Sequence, residues 1–274
     1  MLIPERLFIT VKDMKTIKLN IKDLNEMVRM ACNALLNESA PIDKEMNDNL
    51  KSLSEKCVKI LNSFNPDNAQ EYDVDEQPQE GTWYIEDYDE ENDRLKYFTP
   101  VTYPGFPTVI LIRDPWNYAH NAAYNQGSNE IWLVCRGNET PEKVHSRLYH
   151  EMIHYLDDTR YNSLRTAHEN DDTLPRCFNW VFYVLWNKNE LRAHAYQWAR
   201  YGREGAQWTY RKKLLDEVAN CLDYPEDDPV WQSVSKYVWG ERRNAYNTRN
   251  KFISRTRYLL DVFYKLMMKN VTDE

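Results

Sequence analysis

The chain has 274 residues, 28% charged and 42% hydrophobic, with a formal net charge of −8. It is long enough to bury a sizeable core, and its composition is that of an ordinary globular protein rather than a disordered or fibrous one. The negative balance disfavours general nucleic-acid binding, and there is no run of about 18 apolar residues to span a membrane. Met1-Leu2-Ile3-Pro4-Glu5-Arg6 lacks the charged-then-apolar layout of a signal peptide, so the expected location is cytoplasmic. Cys32, Cys57, Cys135, Cys177 and Cys221 are widely spaced, odd in number and free of any CxxC pair, which predicts reduced, mostly buried thiols.

In chain order, residues 6–21 mix β-branched and charged positions, as in Phe8-Ile9-Thr10-Val11 and Thr16-Ile17-Lys18-Leu19, and fit a short strand or hairpin. Leu24, Met27, Val28, Ala31 and Leu35 recur at three and four, predicting a helix over about 22–37. A second helix over about 43–64 rests on Met46, Leu50, Leu53, Cys57, Ile60, Leu61 and Phe64. Pro41 separates the two, so they read as an N-terminal helical hairpin. Residues 65–81 are acidic and aperiodic, a surface connection. Trp83-Tyr84-Ile85 and Leu95-Lys96-Tyr97-Phe98 flank the turn-rich Asp89-Glu90-Glu91-Asn92-Asp93 and predict a hairpin. Thr108 to Ile112 and Glu130 to Cys135 are apolar strands.

Thr140 then offers a helix cap and Pro141 suits the first helical position, predicting a helix over about 141–158. Within it lies His150-Glu151-Met152-Ile153-His154, an HExxH motif. At about 100° per residue, His150, Glu151, His154, Asp157 and Asp158 share one arc. Val144, Leu148, Tyr149, Met152, Tyr155 and Leu156 fill the other. One face therefore packs into a core and the other presents two imidazoles and a carboxylate to a cleft. A rise of about 5.4 Å per turn lets both imidazoles reach one zinc ion, while Glu151 stands beside the metal as general base for an activated water. The bland alternative, two exposed histidines matched by accident, conflicts with the clean segregation of the wheel and the uncharged Met152, Ile153, Tyr155 and Leu156. After this helix the sequence reads helical over about 177–187, 189–201, 206–222, 228–239 and 249–269.

From Thr140 to Asp158 the chain resembles the zincin metallopeptidases. The resemblance implies an α+β, zincin-like fold, with a small mixed sheet on the HExxH helix, and zinc-dependent hydrolysis of peptide bonds. It also makes residues 129–135 a candidate for the edge strand that pairs with an extended substrate, with an ordinary interior strand as the equal alternative.

A catalytic zinc takes three protein ligands and keeps a position for water. The best third candidate is Glu190, in Asn189-Glu190-Leu191-Arg192-Ala193-His194, where Ala193 and Ala195 would let its helix approach closely. This is similar to the Asn-Glu signature of the gluzincin branch. It departs from that signature in carrying His194 where an aspartate is usual, in a longer interval from His154, and in having no later histidine. His194, His168, Asp157 and Asp158 remain the other candidates, with the two aspartates better suited to orienting the ligand histidines. Tyr161, Arg192 and Tyr196 are candidates to cover a developing oxyanion. His145 lies off the motif face and is expected to be exposed.

The chain thus divides into an N-terminal strand, helical hairpin and acidic linker (1–80), a zincin-like catalytic core (81–205) and a C-terminal helical subdomain (206–274). The expected function is a zinc (Zn2+) metallopeptidase acting on a protein or peptide, with His150, His154 and Glu190 as ligands. The rival is an interaction or assembly protein, for example a phage structural component, that retains a zincin fold and metal site without turnover. Residues 67–93 carry twelve acidic side chains and no lysine or arginine, whereas Arg242 to Lys269 is basic and aromatic. Solvated faces of opposite sign account for this, and a docking surface for an acidic partner at the basic stretch is the sharper alternative.

Overall fold

In the computed structural model, the described residues are 6–10, 16–20, 42–89, 94–113, 122–137, 139–161, 171–201, 206–239 and 247–271. The chain forms two compact units, Met1–Ala40 and Pro41–Glu274. In the first, β1 (Arg6–Thr10) and β2 (Thr16–Asn20) pair antiparallel from Arg6↔Asn20 to Thr10↔Thr16, as the sequence predicts. The helix expected over 22–37, and with it the helical hairpin, lies outside the described residues.

The second unit is α+β, and it joins residues 41–80 and 206–274 to the segment 81–205. Helix α1 (Lys44–Asn62) packs on the motif helix and the last helix packs on the one that carries Glu190. Asp43 caps α1 by accepting the Met46 N–H at 2.8 Å, and Leu50, Leu53, Cys57 and Leu61 form its buried stripe. The acidic connection is largely exposed and holds only a short 3-10 turn, Pro66–Asn68, and β3 (Gln70–Glu71).

A mixed sheet follows, built from β4 (Tyr84–Asp89), β5 (Arg94–Val101), β6 (Thr108–Arg113), β7 (Ala122–Asn125) and β8 (Glu130–Cys135). Its order is β3-β4-β5-β6-β8-β7, with β6 and β8 parallel and β7 antiparallel to β8. Alternation places Val109 and Leu111 beside Ile131 and Leu133 on one face, all fully or almost fully buried. Residues 129–135 are therefore an interior strand and not the edge. β8 pairs with β6 along its whole length and with β7 from Glu130 to Leu133, and among the described strands the terminal position belongs to β7.

Between β8 and the motif helix the chain passes through Gly137 at φ +107°, where a Cβ would meet Arg113 Nη2 at 2.9 Å. Then come α2 (Pro141–Tyr161), α3 (Arg176–Val181), a π-helical turn (Phe182–Trp186), α4 (Lys188–Tyr201), α5 (Ala206–Leu222), α6 (Val230–Trp239) and α7 (Thr248–Val271). No helix among the described residues is long and apolar enough to cross a membrane. The four described cysteines, Cys57, Cys135, Cys177 and Cys221, are free and buried.

Candidate metal centre

Local chemistry starts α2 where the sequence places it. The Thr140 hydroxyl accepts the Lys143 N–H at 3.3 Å, its carbonyl accepts the Val144 N–H at 3.0 Å, and Pro141 opens the helix. Val144, Leu148, Met152, Ile153 and Leu156 are buried, each worth about 1.5 to 3 kcal/mol of transfer free energy. Arg147 fixes α2 on the sheet, donating to the Val134 carbonyl of β8 at 2.8 Å and pairing with Glu139 at 2.5 Å. The polar arc is not open to solvent either. His150, Glu151, His154 and Asp157 are all buried, because α4 and β7 close over them.

One turn apart on α2, the Nε2 atoms of His150 and His154 lie 3.1 Å from each other. Glu190 comes from the start of α4, where the Asn187 side-chain oxygen accepts the N–H groups of Asn189 (3.1 Å) and Glu190 (3.4 Å). A helix N-terminus favours a carboxylate in its first turn. Glu190 Oε2 stands 3.3 Å from His150 Nε2, and Oε1 stands 3.4 Å from His154 Nε2.

Three donors at about 2.0 to 2.1 Å from a tetrahedral ion sit about 3.3 Å from one another. A different Glu190 oxygen faces each imidazole, and one ligand atom from each residue lies within 4.8 Å of the other two, close enough for the three to converge on one ion. Among the described residues, His150, His154 and Glu190 are the one group of His, Cys, Asp or Glu side chains able to hold a metal ion. Burial opposes ionisation of Glu190, but the hydrogen bonds from His150 and His154 outweigh it and hold the carboxyl well below its usual range.

Glu151 stays out of this group. Its Oε2 accepts the backbone N–H of Tyr124, in β7, at 2.8 Å, so the motif carboxylate is anchored to the edge strand. The two aspartates expected to orient the histidines are bonded elsewhere. Asp157 Oδ1 pairs with Arg192 Nη1 at 2.5 Å, a bond between α2 and α4. Asp158 accepts the Tyr124 phenol at 3.0 Å and Gln126 Nε2 at 2.5 Å. Gln197 adds a second bond between α4 and α2, donating to the Ser146 carbonyl at 2.9 Å.

His194 lies next to the group, its Nε2 3.8 Å from Glu190 Oε2 and its ring 4.5 Å from the His150 ring. Burial, reinforced by His150, lowers its pKa to about 3. Of the oxyanion candidates, Arg192 is committed to Asp157 and Tyr196 is buried in the core. The side chain of Tyr161, like His168, lies outside the described residues.

His145 is a correction. It is buried, with Nδ1 against the Tyr201 hydroxyl and its ring edge-on to Tyr149 and Tyr201, because α4 covers the flank of α2 that a single helical wheel leaves open. Burial, then the charges of Arg200 and Lys51, lower its pKa to about 4.

Several described basic side chains of the C-terminal stretch make contacts within the chain. Arg249 donates to the carbonyls of Leu222 (3.0 Å) and Tyr224 (3.2 Å) at the end of α5. Lys251 sits 3.5 Å over the Trp239 ring, Arg255 4.2 Å over Trp186, and Lys265 pairs with Asp261 at 2.7 Å.

What sequence reasoning missed is β7 with Tyr124. Ala122-Ala123-Tyr124-Asn125 has no apolar alternation, and its only signal is the turn chemistry of Asn125 and Gly127, where the Asn125 side chain accepts the Gly127 N–H at 3.0 Å. Comparison of the chain with protein-family models, curated proteins and solved structures finds no match.

Proposed function

We propose that this protein is a zinc-dependent, gluzincin-like metallopeptidase that hydrolyses peptide bonds with Glu151 as general base. The observation that carries this reading is a buried cluster of two imidazoles and a carboxylate, close enough to share one ion, beside a carboxylate that is not part of it. Two nitrogens and one oxygen with a fourth position free are the donor set of catalytic zinc sites. A zinc ion held there supplies Lewis acidity and lowers the pKa of a coordinated water to near 7.

The remaining work falls to this chain's residues. Glu151, held through Oε2, accepts the proton of the attacking water and returns it to the leaving amine. Four free, buried cysteines fit a reducing compartment such as the cytoplasm.

The test is to trap protein partners with zinc-loaded Glu151→Gln and ask whether the wild type cleaves them. Glu151→Gln should retain about one zinc per chain while hydrolysis falls roughly 10²- to 10⁴-fold. Wild-type protein that binds the trapped partners and cleaves none is instead an interaction or assembly protein that retains the metal site.

A further inference from the structure

We infer that Asp158 is a positioning residue for Glu151 and acts through β7. The catalytic consequence rests on the peptidase reading, whereas the clamp rests on geometry alone. Tyr124 is the link. Its N–H goes to Glu151 Oε2 at 2.8 Å, and its phenol donates to Asp158 Oδ2 at 3.0 Å. The other Asp158 oxygen takes Gln126 Nε2 at 2.5 Å, and Asn129 Oδ1 lies 3.3 Å from the same phenol. The turn that closes the β7–β8 hairpin is therefore tied to the carboxylate that holds the strand.

Glu151 and Asp158 are seven residues apart, which on a helix means nearly the same face and about 10 Å of rise. α2 thus grips Tyr124 at two separated points, and the Tyr155 ring, on the intervening turn, meets the Tyr124 ring edge-on at 5.8 Å. A four-residue strand with one neighbour is weakly held by pairing alone and frays readily. Two grips on one residue keep its N–H aimed at Glu151 Oε2. Glu151 has three rotatable bonds, and that N–H selects the one orientation in which the other oxygen is left for a proton.

Removing the Tyr124 hydroxyl or the Asp158 carboxylate leaves the peptide N–H chemically intact, so any loss at Glu151 must travel through position. Asp158→Ala, Tyr124→Phe and Asp158→Asn, each zinc-loaded, are compared by amide hydrogen exchange at Tyr124 and by hydrolysis of a quenched-fluorescent peptide library. Asp158→Ala and Tyr124→Phe should raise Tyr124 exchange by about tenfold or more. kcat should fall about tenfold with KM little changed and zinc content intact. Asp158→Asn keeps one acceptor oxygen and should recover part of both.

Unchanged exchange in a folded, zinc-loaded Asp158→Ala protein overturns the assignment, as does faster exchange with unchanged kcat. Loss of kcat only in proportion to lost zinc also overturns it, since that marks a merely structural residue. If the wild type cleaves nothing in the library, the peptidase reading fails, and the exchange data still decide whether the clamp exists.

Discussion

Arg192 Nη1 and Asp157 Oδ1 meet at 2.5 Å with their side chains only 6% and 5% exposed, joining α4 to α2 two residues after Glu190 and three after His154. The helices that bring the metal-binding side chains together are thus locked by a buried ion pair.

Arg192→Met should cost about 3 to 5 kcal/mol, because it removes one partner of a buried ion pair. Arg192→Met combined with Asp157→Leu should recover most of that loss. Urea denaturation of the three proteins checks it, and an additive double variant would show that the pair is not coupled.

Metal loading depends on the cluster of two imidazoles and a carboxylate. His150→Ala with His154→Ala should abolish binding of about one zinc per chain, and Glu190→Ala should weaken it by well over tenfold. His168→Ala should leave it intact. Metal analysis by mass spectrometry and competitive chelation give these values. Zinc at about 100 times its dissociation constant should stabilise the wild type by roughly 2.7 kcal/mol, an increment absent from the double variant.

His145 imposes an acid dependence. Its folded pKa, about 4, lies below the ordinary 6.5, so between those values the unfolded chain binds a proton that the folded chain does not. Stability is then complete above about pH 6.5 and is lost as pH falls toward 4, on the order of 1 kcal/mol per pH unit. The facing groups, Tyr149, Tyr201, Arg200 and Lys51, supply no carboxylate to relieve the charge. Midpoint temperatures at pH 7 and pH 5 should differ less in His145→Gln than in wild type, and an equal difference would assign the acid sensitivity to other groups.

Core packing separates the two faces of the sheet. Leu148→Ala, on the fully buried stripe of α2, should cost about 2 to 5 kcal/mol by chemical denaturation. Trp132, 41% exposed on β8, should cost far less when replaced by alanine, about 1 kcal/mol or below. A reversal of that order would contradict the burial described for α2.

The local rules of helix chemistry made α2 and the metal candidates legible. Thr140 and Pro141 start a helix whatever surrounds it, and residues four apart face the same way, so His150 and His154 converge by backbone geometry alone. Glu190 could be singled out, on its Asn-Glu setting and neighbouring alanines, because it too sits in a helix with readable periodicity. What tertiary structure alone decided was the order of the strands and the partners of the charges. Whether 130–135 is an edge or an interior strand depends on where residues 122–125 pair, a choice no apolar pattern in those four residues records. Asp157 bonds Arg192 across 35 positions and Asp158 bonds Tyr124 across 34, and His145 is buried by a helix that starts more than 40 residues later. Periodicity says which way a side chain points, and only the packing of distant elements says what it meets there.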